Sequence, residues 1–246
     1  MKRNVQTLLM LMICSTMIWG QTQGGGIDLQ NMRGFGELFN ISQREGDHRF
    51  GMQFRSQGVD GMPWLFAETH EAQLVLRNGD TLAQVLQVNL NLEENELVAI
   101  VSDAELGTIP ITALSRVVFT EEMNGVYTCL PDTYVKNDRD ATYRFYQVLQ
   151  DGSFQFLKSV RRKLLRSNKT GAYSATDGLN DKYVEEVDYY LCETEQRCER
   201  VKLKGKDIMK ALEAWGMATD WISKAEQKAR TEAELIDLVE KLNAAH

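Results

Sequence analysis

Apolar and polar residues alternate with a period of two through the middle of this chain, and the period lengthens to that of a helix only near the C-terminal end. The first clear alternation is Leu74, Leu76, then the turn Asn78-Gly79-Asp80, then Leu82, Leu86, Val88 and Leu90. Asn-Gly between two such runs predicts a hairpin, because that dipeptide accepts the positive φ angles of a tight turn. Leu97-Val98-Ala99-Ile100-Val101 is apolar on both faces and predicts a central strand. A short run around Gly107-Thr108-Ile109-Pro110-Ile111 and a last strand Val117-Val118-Phe119 complete a meander, whose expected form is a small curled sheet or barrel.

Beyond the polar stretch Pro131 to Asp140, Tyr143 to Leu149 leads through Asp151-Gly152 into Phe154 to Val160, a second hairpin. Ser167 to Asp181 has the residue types of an exposed loop, and Tyr183 to Cys192 with Arg200 to Leu203 predicts a third hairpin. The helical period then takes over. Ile208, Ala211, Leu212 and Trp215 precede the stop Gly216; Thr219 is placed to cap a helix carrying Ile222, Ala225 and Ala229. Thr231-Glu232-Ala233-Glu234 is a capping box ahead of the stripe Leu235, Leu238, Val239 and Leu242.

The expected class is therefore α+β: an antiparallel β-meander or small barrel over 61–130, β-hairpins over 131–204, and a helical subdomain of about three short helices over 205–246. Residues 21–60, rich in glycine, are expected to form a flexible segment.

The first twenty residues change the picture. Met1-Lys2-Arg3-Asn4, an apolar run from Val5 to Trp19, and small Gly20 follow the grammar of a cleavable signal peptide spanning 1–20. The run is shorter than the roughly 20 residues of a spanning helix. Cleavage would make the formal charge two units more negative than the −7 of the whole chain. Nucleic acid is thus an unfavourable partner, unless a compact basic patch overrides the field. The one such patch is Lys158 to Arg166, most simply a solvated strand end that discourages edge pairing. In an oxidising compartment Cys192 and Cys198, flanking a polar hairpin tip, are the natural disulfide pair, with two free thiols the alternative. Cys129 is left over and is expected to be buried.

Candidate chemistry is sparse. Of the three histidines, His48 and His70 lack any metal-binding spacing and His246 is the last residue. No nucleophile elbow, phosphate loop or dinucleotide fingerprint occurs. Neighbouring carboxylates, Glu93-Glu94, Glu121-Glu122 and Glu185-Glu186, suit solvated surface, and Asn137, Asp138 and Asp140 do not match a calcium loop. No catalytic, cofactor-binding or metal-binding residue is assigned.

Gly61-Met62-Pro63-Trp64-Leu65, the hairpin Leu74 to Leu90, the Val-Val-Phe strand, Tyr146 to Gly152, Asp188-Tyr189-Tyr190-Leu191 and the closing helices occur in an order that resembles an uncharacterised family of exported β-plus-α proteins common in Bacteroidota. The resemblance implies a compartment and an architecture, but no substrate or cofactor. The expected role is a non-enzymatic envelope protein, periplasmic, outer-membrane-associated or secreted, that is structural or binds a protein partner. Trp64, Phe66, Trp215 and Trp221 are the candidate contacts. The alternatives are a carboxylate-dependent hydrolase or carbohydrate-active protein, and a carrier of a small ligand or lipid.

Overall fold

The computed structural model describes residues 40–41, 59–82, 84–102, 105–121, 125–131, 143–166, 181–193 and 197–245. The segment 1–20 read as a signal peptide, most of the glycine-rich segment, residues 167–180, Asn137 to Asp140, His48 and His246 lie outside them. The strands are β1 (Asn40–Ile41), β2 (Val59–Asp60), β3 (His70–Leu76), β4 (Leu86–Asn91), β5 (Glu96–Ser102) and β6 (Glu105–Ile109). They continue as β7 (Leu114–Phe119), β8 (Val126–Pro131), β9 (Tyr143–Gln150), β10 (Phe154–Leu165), β11 (Asp181–Glu193) and β12 (Arg197–Val201). Two helices follow, α1 (Gly205–Ala214) and α2 (Glu232–Ala245).

All these strands belong to one sheet, in the order β1-β6-β5-β4-β3-β7-β8-β9-β10-β11-β12, with β2 added in parallel at the start of β11. The remaining neighbours are antiparallel. The expected α+β class with about three C-terminal helices is therefore corrected: the fold is predominantly β, with two helices among the described residues. The segment read as a middle helix from Thr219 forms turns and the 3-10 turn Glu226–Lys228. Local hydrogen bonds start it late, since Ser223 N–H donates to the Glu226 carboxylate and Glu226 N–H to the Ser223 hydroxyl. A tertiary bond ends it early. The Ala229 carbonyl accepts from Gly205 N–H at 3.0 Å, and Ala229 is extended, with ψ 136. Ile222 and Ala229 are buried all the same.

The first half of the sheet cannot be flat. Ile109 pairs with Leu97 and Leu97 with Leu90, beyond the His70 end of β3, whereas Leu114 pairs with Leu76 at its other end. Flat, these positions would lie about 27 Å apart along the strands and about 19 Å across them. The link between them is Pro110 and the three-residue 3-10 turn Ile111–Ala113, which reaches roughly 14 Å. The strands therefore curl, and one face of them closes on itself. Ala72, Leu74, Leu86, Val88, Leu90, Leu97, Val117 and Phe119 meet inside, with Tyr127, Cys129 and Phe145 of β8 and β9.

The same face continues into the second half, where α1 and α2 cover it. Phe154, Phe156, Leu191 and Val201 pack against Ile208, Leu212, Leu235, Leu238, Val239 and Leu242. Side-chain amides fasten the layers: Phe154 N–H donates to Asn243 Oδ1 at 2.7 Å, and Asn243 Nδ2 donates to the Phe154 carbonyl at 2.8 Å. Glu232 at the start of α2 accepts from Lys158 at 3.0 Å and from the Tyr189 hydroxyl at 2.8 Å. The capping box is present as expected, with Thr231 N–H donating to Glu234 at 3.0 Å and Glu234 N–H to Thr231 at 3.3 Å.

The 3-10 turn is tied to α2 by a pair that titrates. The Lys241 ammonium, then the hydroxyl and amide of Ser223, hold the Glu226 carboxyl down to about 2, against an ordinary 4.5. A depressed folded-state value adds stability that is present above the unfolded value and is lost as pH falls through the folded one. We expect the melting temperature to fall between pH 4.5 and about 2, with Glu226→Gln removing part of that fall. Glu234, lowered by the Arg230 and Thr231 amides, accounts for more of it. Identical pH slopes for the two proteins in differential scanning calorimetry would refute the assignment.

Candidate functional site

The sheet splits between β9 and β10. Pairing of β9 with β10 runs from Phe156↔Gln150 to Lys158↔Gln147. Beyond it, β9 stays with β8 as far as Pro131↔Tyr143, and β10 stays with β11 as far as Leu165↔Lys182. The turn between β4 and β5 is the wedge. Asn95 adopts φ 57, a conformation asparagine tolerates better than most residues. Its side-chain amide donates to the Tyr143 carbonyl at 2.6 Å and accepts from Phe145 N–H at 3.4 Å. Those two backbone groups lie on one side of an extended strand, so a single asparagine amide can satisfy both along the edge of β9. On the other flank, Arg162 N–H donates to the Leu92 carbonyl at 3.3 Å. Asn91 fixes the turn itself, its side-chain oxygen accepting from Glu93 and Glu94 N–H at 3.1 Å each.

The gap so formed is a cleft of about 500 Å³. Its charged lining is Arg144, Arg161, Arg162 and Lys163, opposed by Glu93 and Glu186. Phe145, Val160 and Leu164 supply apolar wall. Because neighbouring residues of a strand face opposite ways, Ser159, Arg161 and Lys163 approach from one face of the sheet and Val160, Arg162 and Leu164 from the other.

Most of these charges are engaged. Arg161 donates to Asp188 at 2.9 Å and lies 3.6 Å from Glu186. Asp188, 8% exposed, is also held by Arg200. Arg162 donates to the carbonyls of Met62 and Trp64 and lies 3.3 Å from Glu185, clamping the segment before β3 onto the hairpin. Glu93 accepts from the Tyr183 hydroxyl at 2.9 Å, and burial together with that bond raises the phenol to about 12. Lys163 is exposed and has no ion-pair partner among the described residues.

The basic run and the carboxylates Glu93 and Glu186 singled out from sequence line this cleft, whereas the cysteines, aromatic residues and His70 lie elsewhere. Cys192 and Cys198 face each other across β11 and β12 and form a disulfide, with Cα atoms 4.0 Å apart. Closing so short a loop stabilises by about 2 kcal/mol in the chain-entropy picture. Cys129 is buried, and burial pushes its thiol well above the ordinary range despite Arg77 nearby, so it is protonated at neutral pH. Trp64 is half-buried and bridges Asn91, while Phe66 meets Phe119 and His70 edge to face. Trp215 stacks on Phe154 under the Arg197 guanidinium, and Trp221 packs beside the same helical core. Phe66 sits at the rim of the curled core, and Trp215 and Trp221 at the rim of the helical one. His70 lies 3.4 Å from the exposed Glu121.

Among the described residues, no His, Cys, Asp and Glu side chains are grouped to hold a metal ion, and no helix is long and apolar enough to cross a membrane. Sequence reasoning noticed the basic run but not the cleft it lines. The run's meaning depends on Asn95 and Arg144, which come from distant parts of the chain. No protein-family model matches the chain, and comparisons with curated proteins and with solved structures find no match.

Proposed function

We propose that this chain is an exported, non-enzymatic protein of a bacterial envelope, related to the exported family it resembles, whose role is to bind another molecule. The observation that carries the reading is the state of the cleft's charges: Arg161, Arg162, Glu93 and Glu186 each engage a fixed protein partner. A general acid or base must be free to reach a substrate, and a carboxylate already engaged by a fixed protein group is not placed for that task. The hydrolase alternative needs two carboxyl groups flanking a scissile bond, with the acid of the pair kept protonated by its surroundings. Asp188 is the buried carboxylate among the described residues, and it faces two arginines. A carrier would need an enclosed hollow, whereas Leu74, Leu90, Leu97 and Leu114 fill the curled half with no solvent exposure.

Export is supported by the leader pattern and by the facing cysteines, since disulfides persist in oxidising compartments. The test is to fractionate cells producing the tagged chain, cross-link the envelope fraction, and identify partners against an untagged control. We expect a shortened, disulfide-bonded chain in that fraction with a reproducible stoichiometric partner. A full-length reduced chain in the cytoplasm would overturn the export half. An abundant folded chain with no partner would overturn the binding half.

A further inference from the structure

The basic run along β10 is largely neutralised, since Lys158, Arg161 and Arg162 each face a carboxylate. A second group of cations, scattered in sequence, is not. Residues 202–210 and 224–230 hold Lys202, Lys204, Lys206, Lys210, Lys224, Lys228 and Arg230 against two carboxylates, Asp207 and Glu226, in a chain of net charge −7. We propose that the fold gathers these cations into a patch that binds the surface of a bilayer containing anionic phospholipids, peripherally and by charge. The inference stands apart from export and from the cleft, because it concerns only the charges around the start of α1.

Backbone bonds do the gathering. Gly205 N–H donates to the Ala229 carbonyl at 3.0 Å, which sets Lys204 and Lys206 beside Lys228 and Arg230. Lys204 N–H donates to the Lys202 carbonyl at 2.6 Å, folding Lys202 back towards the same corner. Lys210 stands one turn beyond Lys206, about 6 Å along α1, on the side away from buried Ile208 and Leu212. All seven side chains are exposed, and none has an ion-pair partner among the described residues. Several carboxylates on the neighbouring elements are occupied. Glu226 and Asp237 flank Lys241, Glu232 pairs with Lys158, Glu234 accepts from the Arg230 and Thr231 amides, and Glu213 accepts from the Thr219 hydroxyl. Asp207, Asp220 and Glu199 remain, and they are outnumbered.

Shape, composition and the rest of the chain select the anion. The cations stand exposed on turns and a helix face rather than in a recess, so they present many separated charges to a plane instead of enclosing one phosphate. Six of the seven are lysines, hydrated point charges, whereas base recognition favours guanidinium forks. Outside the patch the chain is more acidic than its net charge, which repels a long polyanion lying across it but not a bilayer met on one side only. Leu203 and Met209, between the lysines, are half-buried against the helical core and are not free to insert. Attachment is therefore electrostatic, and each Lys or Arg close to such a surface strengthens it roughly fivefold.

The experiment is co-sedimentation of the chain without residues 1–20, whose apolar run would itself enter lipid, with phosphatidylcholine vesicles made with or without phosphatidylglycerol. None of the described elements lies in the removed segment. We expect binding at low salt that is at least about tenfold tighter with phosphatidylglycerol and is lost at high salt. Lys206→Gln, Lys210→Gln and Lys228→Gln together should weaken it at least about tenfold with the melting temperature unchanged, and arginine at the same three positions should retain it. The same loss of charge at the exposed Lys163, Arg166 and Lys182 should change it less than about threefold. Equal weakening by the two glutamine triples would reduce the effect to net charge and overturn the patch. Equal binding to neutral vesicles, binding that survives high salt, or a DNA duplex held more tightly than the anionic vesicles at the same salt would overturn the lipid assignment.

Discussion

Replacing Phe156 with alanine is expected to destabilise the protein by about 3–4 kcal/mol, the usual cost of emptying a fully buried aromatic site. Phe156 has no solvent exposure, pairs with Leu191 across the β10–β11 hairpin, and stacks on Tyr189 at 5.7 Å between ring centroids. It belongs to the cluster that holds both helices to the sheet, so the cavity would open at the junction of three layers of side chains. For a chain of this size the loss corresponds to a fall in melting temperature on the order of 10 °C. The variant also tests cooperativity, because the sheet passes from β8 to β9 without a break. Tryptophan fluorescence measured in a Trp64→Phe background, where Trp215 and Trp221 beside the helices are the reporters among the described residues, should shift together with the far-ultraviolet signal of the sheet. A loss below 1 kcal/mol, or fluorescence that melts well ahead of the sheet, would show that the helical layer is a loosely attached appendage.

Gly205→Ala is expected to cost at least about 3 kcal/mol, at the upper end of overpacking substitutions. A Cβ at this position would stand 1.9 Å from the Glu226 carbonyl oxygen and 2.9 Å from its carbon, both backbone atoms that no rotamer change can remove. Alanine is otherwise the better helix former, and in an open first turn it would stabilise α1. The close approach also makes the bond from Gly205 N–H to the Ala229 carbonyl, so moving the turn away to admit a methyl group would break it. Urea unfolding at neutral pH measures the loss. An unchanged or raised midpoint would mean that the 3-10 turn does not rest on the start of α1.

Local sequence carried much of this fold. Leu74 and Ala72 alternate with polar neighbours on β3, Gly79 takes φ 91 at the Asn78-Gly79 turn, and the Thr231 box opens α2, all as their residue types imply. Gly216, with φ 78, ends α1 as expected. The strand Val126–Pro131 went unread although Tyr127 and Cys129 alternate into the core, because the pattern is short and runs into proline. The middle helix was misread for a different reason. Its apolar spacing was sound, and Ile222 and Ala229 are buried, but Ser223 and Gly205 claimed the backbone groups a longer helix would have used.

The candidate site divides in the same way. Facing cysteines near a hairpin tip can be recognised from spacing, since antiparallel pairing is local and symmetrical about the turn. A cleft between β9 and β10 cannot, because the wedge that opens it lies 48 residues before Tyr143. Sequence by itself determined many of the strands and both α1 and α2, the apolar face of each of these, and which cysteines can meet. Those properties follow from periodicity and turn chemistry over a few neighbouring residues. Tertiary structure alone decided that the two β regions form one sheet, that its first half curls, and that a basic strand borders a cleft. Each of these depends on which distant backbone groups satisfy one another, and residue spacing leaves that choice open.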